Sequence, residues 1–236
     1  DETQPITMVV SLEMGWRQLL FENYPVDPEL VQAHLPDGLD PDTFEGSAYL
    51  SVVPFTNIDV RPKGLPRWAG VPLPELNLRT YVTHDGVTGV YFFSLDAEGL
   101  SGVVGARLTQ SLPYYYARIS IDTADDQISF RSTRRHPGAR PAEYEATYGA
   151  AGDSFKAPDD PLSQFLLERY RLYTEAPGGQ LRVTPVEHEP WTVYPAEADV
   201  TENTLFTANG FEHPDSEPVR YYCPGVDVVA GKSQSV

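Results

Sequence analysis

The sequence predicts an α+β fold, mainly antiparallel β, flanked by a few short helices. Three observations predict it. Runs rich in Val, Ile, Phe and Tyr alternate with polar residues, the period-two signature of strands. Turn signals such as Asp85-Gly86 separate these runs, as in hairpins. Helical spacing is confined to a few short stretches. A chain of 236 residues of this class is expected to form a single domain.

The elements follow in order. Asp27-Pro28 reads as an N-cap with Pro at the first helical position, and Leu30, Val31 and Leu35 then form one apolar stripe. Pro36 and Gly38 close this helix over about 28–35. Residues 47–60 read as a strand, and Pro62, Pro66, Pro72 and Pro74 make 61–74 a loop. Residues 75–95 form the clearest hairpin, turning at Asp85-Gly86. Small and apolar positions over 98–110 suit a helix, weakened by Gly99, Gly102 and Gly105. A second hairpin spans 113–122 and 127–135 about Asp125-Asp126, and 141–149 reads as another strand. Asp160-Pro161 repeats the cap signature, and Leu162, Phe165, Leu166, Arg169, Tyr170 and Tyr173 follow at helical spacing, which predicts a helix over 161–174. Strands are expected near 180–188, 191–198 and 219–229, with a short helix about 201–208.

Charge is the most unusual bulk property. Asp and Glu number 34 against 17 Lys and Arg, a net charge of −17. Only Lys63, Lys156 and Lys232 are lysines. Such a surface repels itself at low salt, and molar salt screens the repulsion to a Debye length of about 3 Å. An acid-rich, lysine-poor chain is the expected product of a salt-filled, halophilic cytoplasm; an ordinary acidic protein is the alternative. Without a basic stripe, neither nucleic acid nor an anionic membrane surface is an expected partner. No apolar run is long enough for a transmembrane helix, and the first residues carry no secretory signal. Cys223 is the single cysteine, so no internal disulfide forms, which suits a reducing compartment. A cytoplasmic location is expected, and self-association into a homo-oligomer is compatible with the sequence.

Candidate chemistry centres on the strand at 75–82. Leu76, Leu78, Thr80 and Val82 fall on one face, and Glu75, Asn77, Arg79 and Tyr81 on the other. An ordinary antiparallel strand would leave the polar face in water. If the sheet curls, the same face lines an enclosed cavity, and a carboxylate, an amide, a guanidinium and a phenol converge on a ligand. Tyr114, Tyr115 and Tyr116 stand in a row after Pro113, so Tyr114 and Tyr116 share one face and Tyr115 takes the other. His34, His84, His136, His188 and His213 show no metal-ligand spacing, and no nucleotide loop or nucleophile elbow is present, so neither metal nor cofactor is expected.

The motifs Trp16-Arg17, Leu35-Pro36-Asp37-Gly38-Leu39, Val53-Pro54-Phe55, Glu75 to Val82, Ser94-Leu95-Asp96-Ala97, Leu112-Pro113-Tyr114, Phe165 to Tyr170 and His188-Glu189-Pro190-Trp191 together resemble the YqjF-like family of uncharacterised conserved proteins, over about 14–229. That family is similar to the acetoacetate decarboxylase-like superfamily. The resemblance implies a cone-shaped, mainly antiparallel β-barrel with a central cavity, and so turns the 75–81 face inward. In those decarboxylases a Gly-Arg-Glu segment leads to Pro-Lys-Lys, whose first lysine forms a Schiff base. Here Gly105-Ala106-Arg107 and Pro113-Tyr114-Tyr115 stand in those places. Tyrosine forms no iminium, so Schiff-base decarboxylation is not expected despite the shared fold. What remains is an anionic or carbonyl-containing small ligand. Arg79 and Arg107 would hold its charge, with Asn77, Tyr81 and His188 as further ligand contacts. Glu75 would serve as general base, and Tyr114 or Tyr115 as proton or hydrogen-bond donor. A binding protein without catalysis and a filled, purely structural barrel are the alternatives.

The charge balance carries its own test. The melting temperature should rise markedly in molar potassium chloride; a flat response would remove the halophilic reading.

Overall fold

The computed structural model describes residues 11–99, 112–176 and 178–236. The first half comprises β1 (Leu12–Val26), helix α1 (Pro28–Gln32), β2 (Asp40–Pro41), β3 (Ala48–Pro62), β4 (Val71–His84), β5 (Val87–Ala97), β6 (Tyr114–Ala124) and β7 (Gln127–Arg134). The second half comprises β8 (Glu143–Ala150), β9 (Phe155–Lys156), helix α2 (Pro161–Leu167), β10 (Arg171–Ala176), β11 (Gln180–His188), β12 (Thr192–Asn203), helix α3 (Leu205–Ala208), β13 (Val219–Ala230) and β14 (Gln234–Ser235). Among the described residues no helix is long and apolar enough to cross a membrane.

The strands form one mixed sheet that returns on itself. From β4 the pairings run through β5, β10, β11, β13, β1 and β3 back to β4, a closed circuit. Among the described residues only β5 with β6 and β5 with β10 pair in parallel, and the other ladders are antiparallel. The expected cone-like, mainly antiparallel β fold is what the chain adopts. Inside the circuit lies one apolar core with Phe21, Val53, Phe55, Tyr81, Phe92, Leu95, Tyr114, Trp191 and Tyr221. A second core lies across the sheet, where Leu50, Val52, Leu76 and Leu78 meet Ile119, Phe130, Tyr144 and Phe206. Residues alternate between these cores along β4, so both its faces are covered.

Two bulges adjust that alternation. Gln18 has a positive φ of 57°, and the β1–β3 register slips by one residue between Arg17 and Glu22. An extra residue reverses strand parity, so Trp16 and the pair Leu19 and Phe21 all reach the interior core. On β5 the register steps from Phe92 to Ser94, and Phe93 turns to the second core while Phe92 and Leu95 face the first.

Most predicted elements form, with shifted ends. The Asp27 carboxylate caps α1 by accepting the Glu29 N–H at 2.8 Å, and the helix proper stops at Gln32. The irregular segment expected over 61–74 is shorter: β3 runs to Pro62, and β4 starts at Val71 because Val71 to Pro74 pair with β3. Strand β12 reaches Asn203, so the helix predicted over 201–208 contracts to α3. The helix predicted over 98–110 lies almost wholly outside the described residues.

The helix predicted over 161–174 is half wrong. Asp160 caps α2 as predicted, its carboxylate accepting the Ser163 N–H at 2.8 Å. The helix ends at Leu167, and Arg171–Ala176 is strand. Tertiary partners override the 3.6-residue spacing. Leu172 and Tyr173 pair with Val90 and Tyr91, and every residue of β10 pairs with β11. Arg169 is pinned by an ion pair to Asp42 at 2.6 Å, outside any helical path.

A buried polar knot ties the second core together. Fully buried Glu22 accepts from Tyr144 Oη at 2.8 Å and Arg220 Nε at 2.9 Å, with Tyr24 Oη at 3.5 Å. Removing one partner from such a knot leaves the others unsatisfied. Glu22→Ala should therefore lower unfolding free energy by about 3 kcal/mol, measurable by urea denaturation; a change within error would show the knot to be dispensable.

Candidate functional site

Strand β4 carries the site because of its pairing. Glu75, Asn77, Arg79 and Tyr81 lie opposite Phe55, Val53, Ser51 and Tyr49 on β3 and face the interior core, while Leu76 and Leu78 face the second core. The polar row therefore looks into the strand circuit. Helix α2 closes one end of the row, with Phe165 ring to ring against Tyr81 at 5.5 Å. Glu75 occupies the other end.

Glu75 is almost wholly buried, and its Oε2 accepts from Tyr114 Oη at 3.1 Å and from Asn57 Nδ2. Burial pushes its carboxyl up to about 8, against the partial relief of those two hydrogen bonds. Burial, then the neighbouring Glu75, holds the Tyr114 hydroxyl well above the usual phenol range, so Tyr114 acts as a donor. Asn77 stands one step along, its buried Oδ1 without a hydrogen-bond partner.

Arg79 differs from the other interior cation. Its guanidinium lies 5.3 Å from the Phe21 ring centroid and 5.8 Å from that of Tyr81, within cation–π range. Its Nε is buried without a hydrogen-bond partner, and no ion pair joins it to a described residue. Arg169 sits on the far side of Tyr81, 5.4 Å from that ring, and is neutralised by Asp42. The Tyr81 hydroxyl is committed: it donates to Asn23 Oδ1 at 2.7 Å, which also accepts from Ser51 Oγ at 2.8 Å.

An aromatic wall completes the Arg79 end. His188 stacks on Tyr170 at 4.6 Å and lies 4.9 Å from Trp191, which stacks on Trp16 at 6.0 Å. His188 Nδ1 donates to the Glu189 carbonyl at 2.8 Å. Burial pushes the His188 pKa down, and the Arg79 charge acts in the same direction. The buried Trp191 Nε1–H has no hydrogen-bond partner.

The structure thus brings Glu75, Asn77, Arg79, Tyr81, Tyr114 and His188 to the interior. It does not bring Tyr115, which points to the opposite side of β6, with the Arg134 guanidinium 4.2 Å from its ring centroid. Arg107 lies outside the described residues. Lys63, Lys156 and Lys232 are all exposed. Burial pushes the Cys223 thiol up to about 11, which suits a packing role rather than a nucleophile. Among the described residues no cluster of His, Cys, Asp or Glu could hold a metal ion.

This arrangement coincides with a family match that runs over residues 13–227, nearly the whole described chain. The chain belongs to the DUF2071 family of uncharacterized conserved proteins. It is 39% identical over 219 residues to the uncharacterized protein YqjF of Bacillus subtilis (strain 168), covering 92% of this chain and 89% of that one. Its fold is similar to that of an acetoacetate decarboxylase-like enzyme from Sphingomonas wittichii RW1, with a TM-score of 0.66, 15% identity, and coverage of 97% of this chain and 93% of that one. It is also similar to the enduracididine biosynthesis enzyme MppR complexed with pyruvate, with a TM-score of 0.67, 15% identity, and coverage of 99% and 93%.

Asn57, Tyr170 and Trp191 escaped the sequence-based assignment of roles. Trp16 and Trp191 stood in the family motifs, but nothing in their spacing showed that they meet. Asn57 had no signal, since its register against Glu75 depends on the β3–β4 pairing.

The buried Glu75 carboxyl makes stability depend on pH. It keeps its proton to about pH 8 when folded, against 4.5 for an unperturbed carboxyl. Below that lower value both states are protonated and the group contributes no penalty. As pH rises through the interval, the unfolded state ionises first and stability falls; above the folded value the loss levels off. Glu75→Gln should therefore gain on the wild type as pH rises, by a few kcal/mol at about 1.4 kcal/mol per pKa unit. Urea melts near pH 5 and pH 9 measure the difference, and a gap that does not change with pH would contradict a buried, neutral Glu75.

Proposed function

We propose that the strand circuit binds a small carbonyl compound bearing a carboxylate, and that Glu75 and Tyr114 move a proton on it without a covalent amine intermediate. The observation that carries this reading is the Arg79 guanidinium, which forms no ion pair with a described residue, on the same inward row as buried Glu75. Arg79 is half-buried, its buried Nε finds no hydrogen-bond partner among the described residues, and a ligand carboxylate would complete it through charge-assisted bonds. Trp191 Nε1–H and Asn77 Oδ1 offer one further donor and one acceptor. Glu75 and Arg79 stand four positions apart, about 13 Å along the strand at about 3.3 Å per residue.

At the Glu75 end the ligand carbonyl would meet the carboxyl and the Tyr114 hydroxyl. In its ionised form Glu75 takes a proton from the carbon next to the carbonyl, leaving an enolate. In its neutral form it returns one. A pKa of about 8 keeps both forms accessible near neutral pH. Tyr114 donates to whichever oxygen carries the negative charge. The fold neighbour named as complexed with pyruvate supports the ligand class. The amine route of acetoacetate decarboxylases has no residue here, since Tyr114 stands where the resemblance puts their lysine.

The hydrogen bonds that Glu75 already makes to Asn57 and Tyr114 favour a second reading, binding without turnover. One experiment separates the two. Pyruvate should quench tryptophan fluorescence saturably, and its methyl protons should exchange with deuterium faster in the presence of the protein. Glu75→Gln should slow that exchange at least about 100-fold, the usual contribution of a positioned acid–base group, while leaving the quench. Quenching without exchange would establish the binding reading; neither signal, with pyruvate or other short 2-oxo acids, would leave a filled structural barrel. Borohydride added with pyruvate should leave the protein mass unchanged, and a stable adduct would overturn the non-covalent mechanism.

A further inference from the structure

We propose a second small-molecule site on the other side of β6, an oxyanion-binding hollow built on Arg134 and Arg140. The hollow has a volume of about 410 Å3 and is bounded by Tyr115, Arg134, His136, the loop from Pro137 to Arg140, and Ala208. That volume suits a small metabolite. It lies apart from the interior row: Tyr114 turns inward to Glu75, and its neighbour Tyr115 turns outward to this wall.

Arg134 is the built element. It is only 7% exposed, and its Nε donates to Asp96 Oδ1 at 2.8 Å. The flat face of the guanidinium is covered by the Tyr115 ring at 4.2 Å. The buried Nη2 has no hydrogen-bond partner. A guanidinium is a rigid fork of five donors. Asp96 takes the Nε edge in a buried ion pair and fixes the plane of a guanidinium that lines the hollow. A phosphate or carboxylate oxygen is the acceptor that such a fork recognises best.

The local sequence supplies the second observation. Residues 127–142 contain Arg131, Arg134, Arg135, His136 and Arg140 and no Asp or Glu, in a chain whose net charge is −17. Arg131 is spent on an ion pair with Glu145. Arg140 lines the hollow and makes no ion pair with a described residue. His136 lines the hollow as well, and its Nδ1 accepts the Tyr116 backbone N–H at 3.1 Å. On a surface that otherwise repels anions, a concave face carrying Arg134 and Arg140 is a selective trap for a small one, because its field is local and shielded by the walls.

Inorganic phosphate and succinate serve as probes for the two sources of the oxyanion. Titration calorimetry on the full chain, at fixed ionic strength in potassium chloride, separates binding from general salt stabilisation. At least one probe should bind saturably, and its identity tells phosphate ester from carboxylate. Arg140→Ala should weaken that binding about 10-fold, as expected for one lost charge-assisted contact. Arg131→Ala removes the same charge outside the hollow and should leave the affinity unchanged, and so should Arg79→Ala in the interior. Three results would each overturn the proposal: no saturable binding of either probe, equal weakening by Arg140→Ala and Arg131→Ala, or loss on Arg79→Ala, which would send the anion to the interior.

Discussion

Strand β4 is covered on both faces, and the site depends on that constraint. Leu76 and Leu78 are fully buried in one core, and the register with β3 and β5 is set by ladders along the strand. Each such leucine contributes roughly 1.5–3 kcal/mol by leaving water. A slip of one residue would move both of them to the interior and drive Glu75 and Arg79 into the second core. The apolar half of the strand therefore holds the polar half in place, and burial of the polar half follows from closure of the strand circuit.

The chain satisfies its buried charges wherever they serve only the fold. Glu22 has Arg220 and two tyrosines, and Arg169 has Asp42. The polar atoms left without partners include Asn77 Oδ1, Arg79 Nε and Trp191 Nε1 in the interior. Native proteins rarely leave such groups unmatched without a reason. Their position on one wall, with neutral His188 and the elevated Glu75 carboxyl, is what distinguishes the interior from a plain aromatic core.

Adjacent tyrosines on β6 divide two environments. Tyr114 meets a carboxyl inside the circuit, and Tyr115 meets an arginine outside it. Strand alternation alone creates this division. It also explains why only one of the two tyrosines considered as donor meets Glu75: consecutive residues on a regular strand face opposite sides.

The inward row of Glu75, Asn77, Arg79 and Tyr81 was legible from strict alternation, and the two hairpins were legible from their acidic and glycine turns. These are local properties, encoded over a few residues. The first strand was not recognised, because the bulge between Arg17 and Glu22 breaks the period on which recognition rests. The helix after Asp160 was legible at its cap but not at its end, where Arg171–Ala176 exchange helical spacing for ladders with β5 and β11. By itself the sequence determined which residues share a face of β4 and that no lysine accompanies them. Only the tertiary structure decided that this face looks inward, that Asn57 and Tyr114 meet Glu75, and that Arg79 lacks a counter-charge among the described residues. Those outcomes come from pairings between strands far apart in the chain, which no local pattern contains.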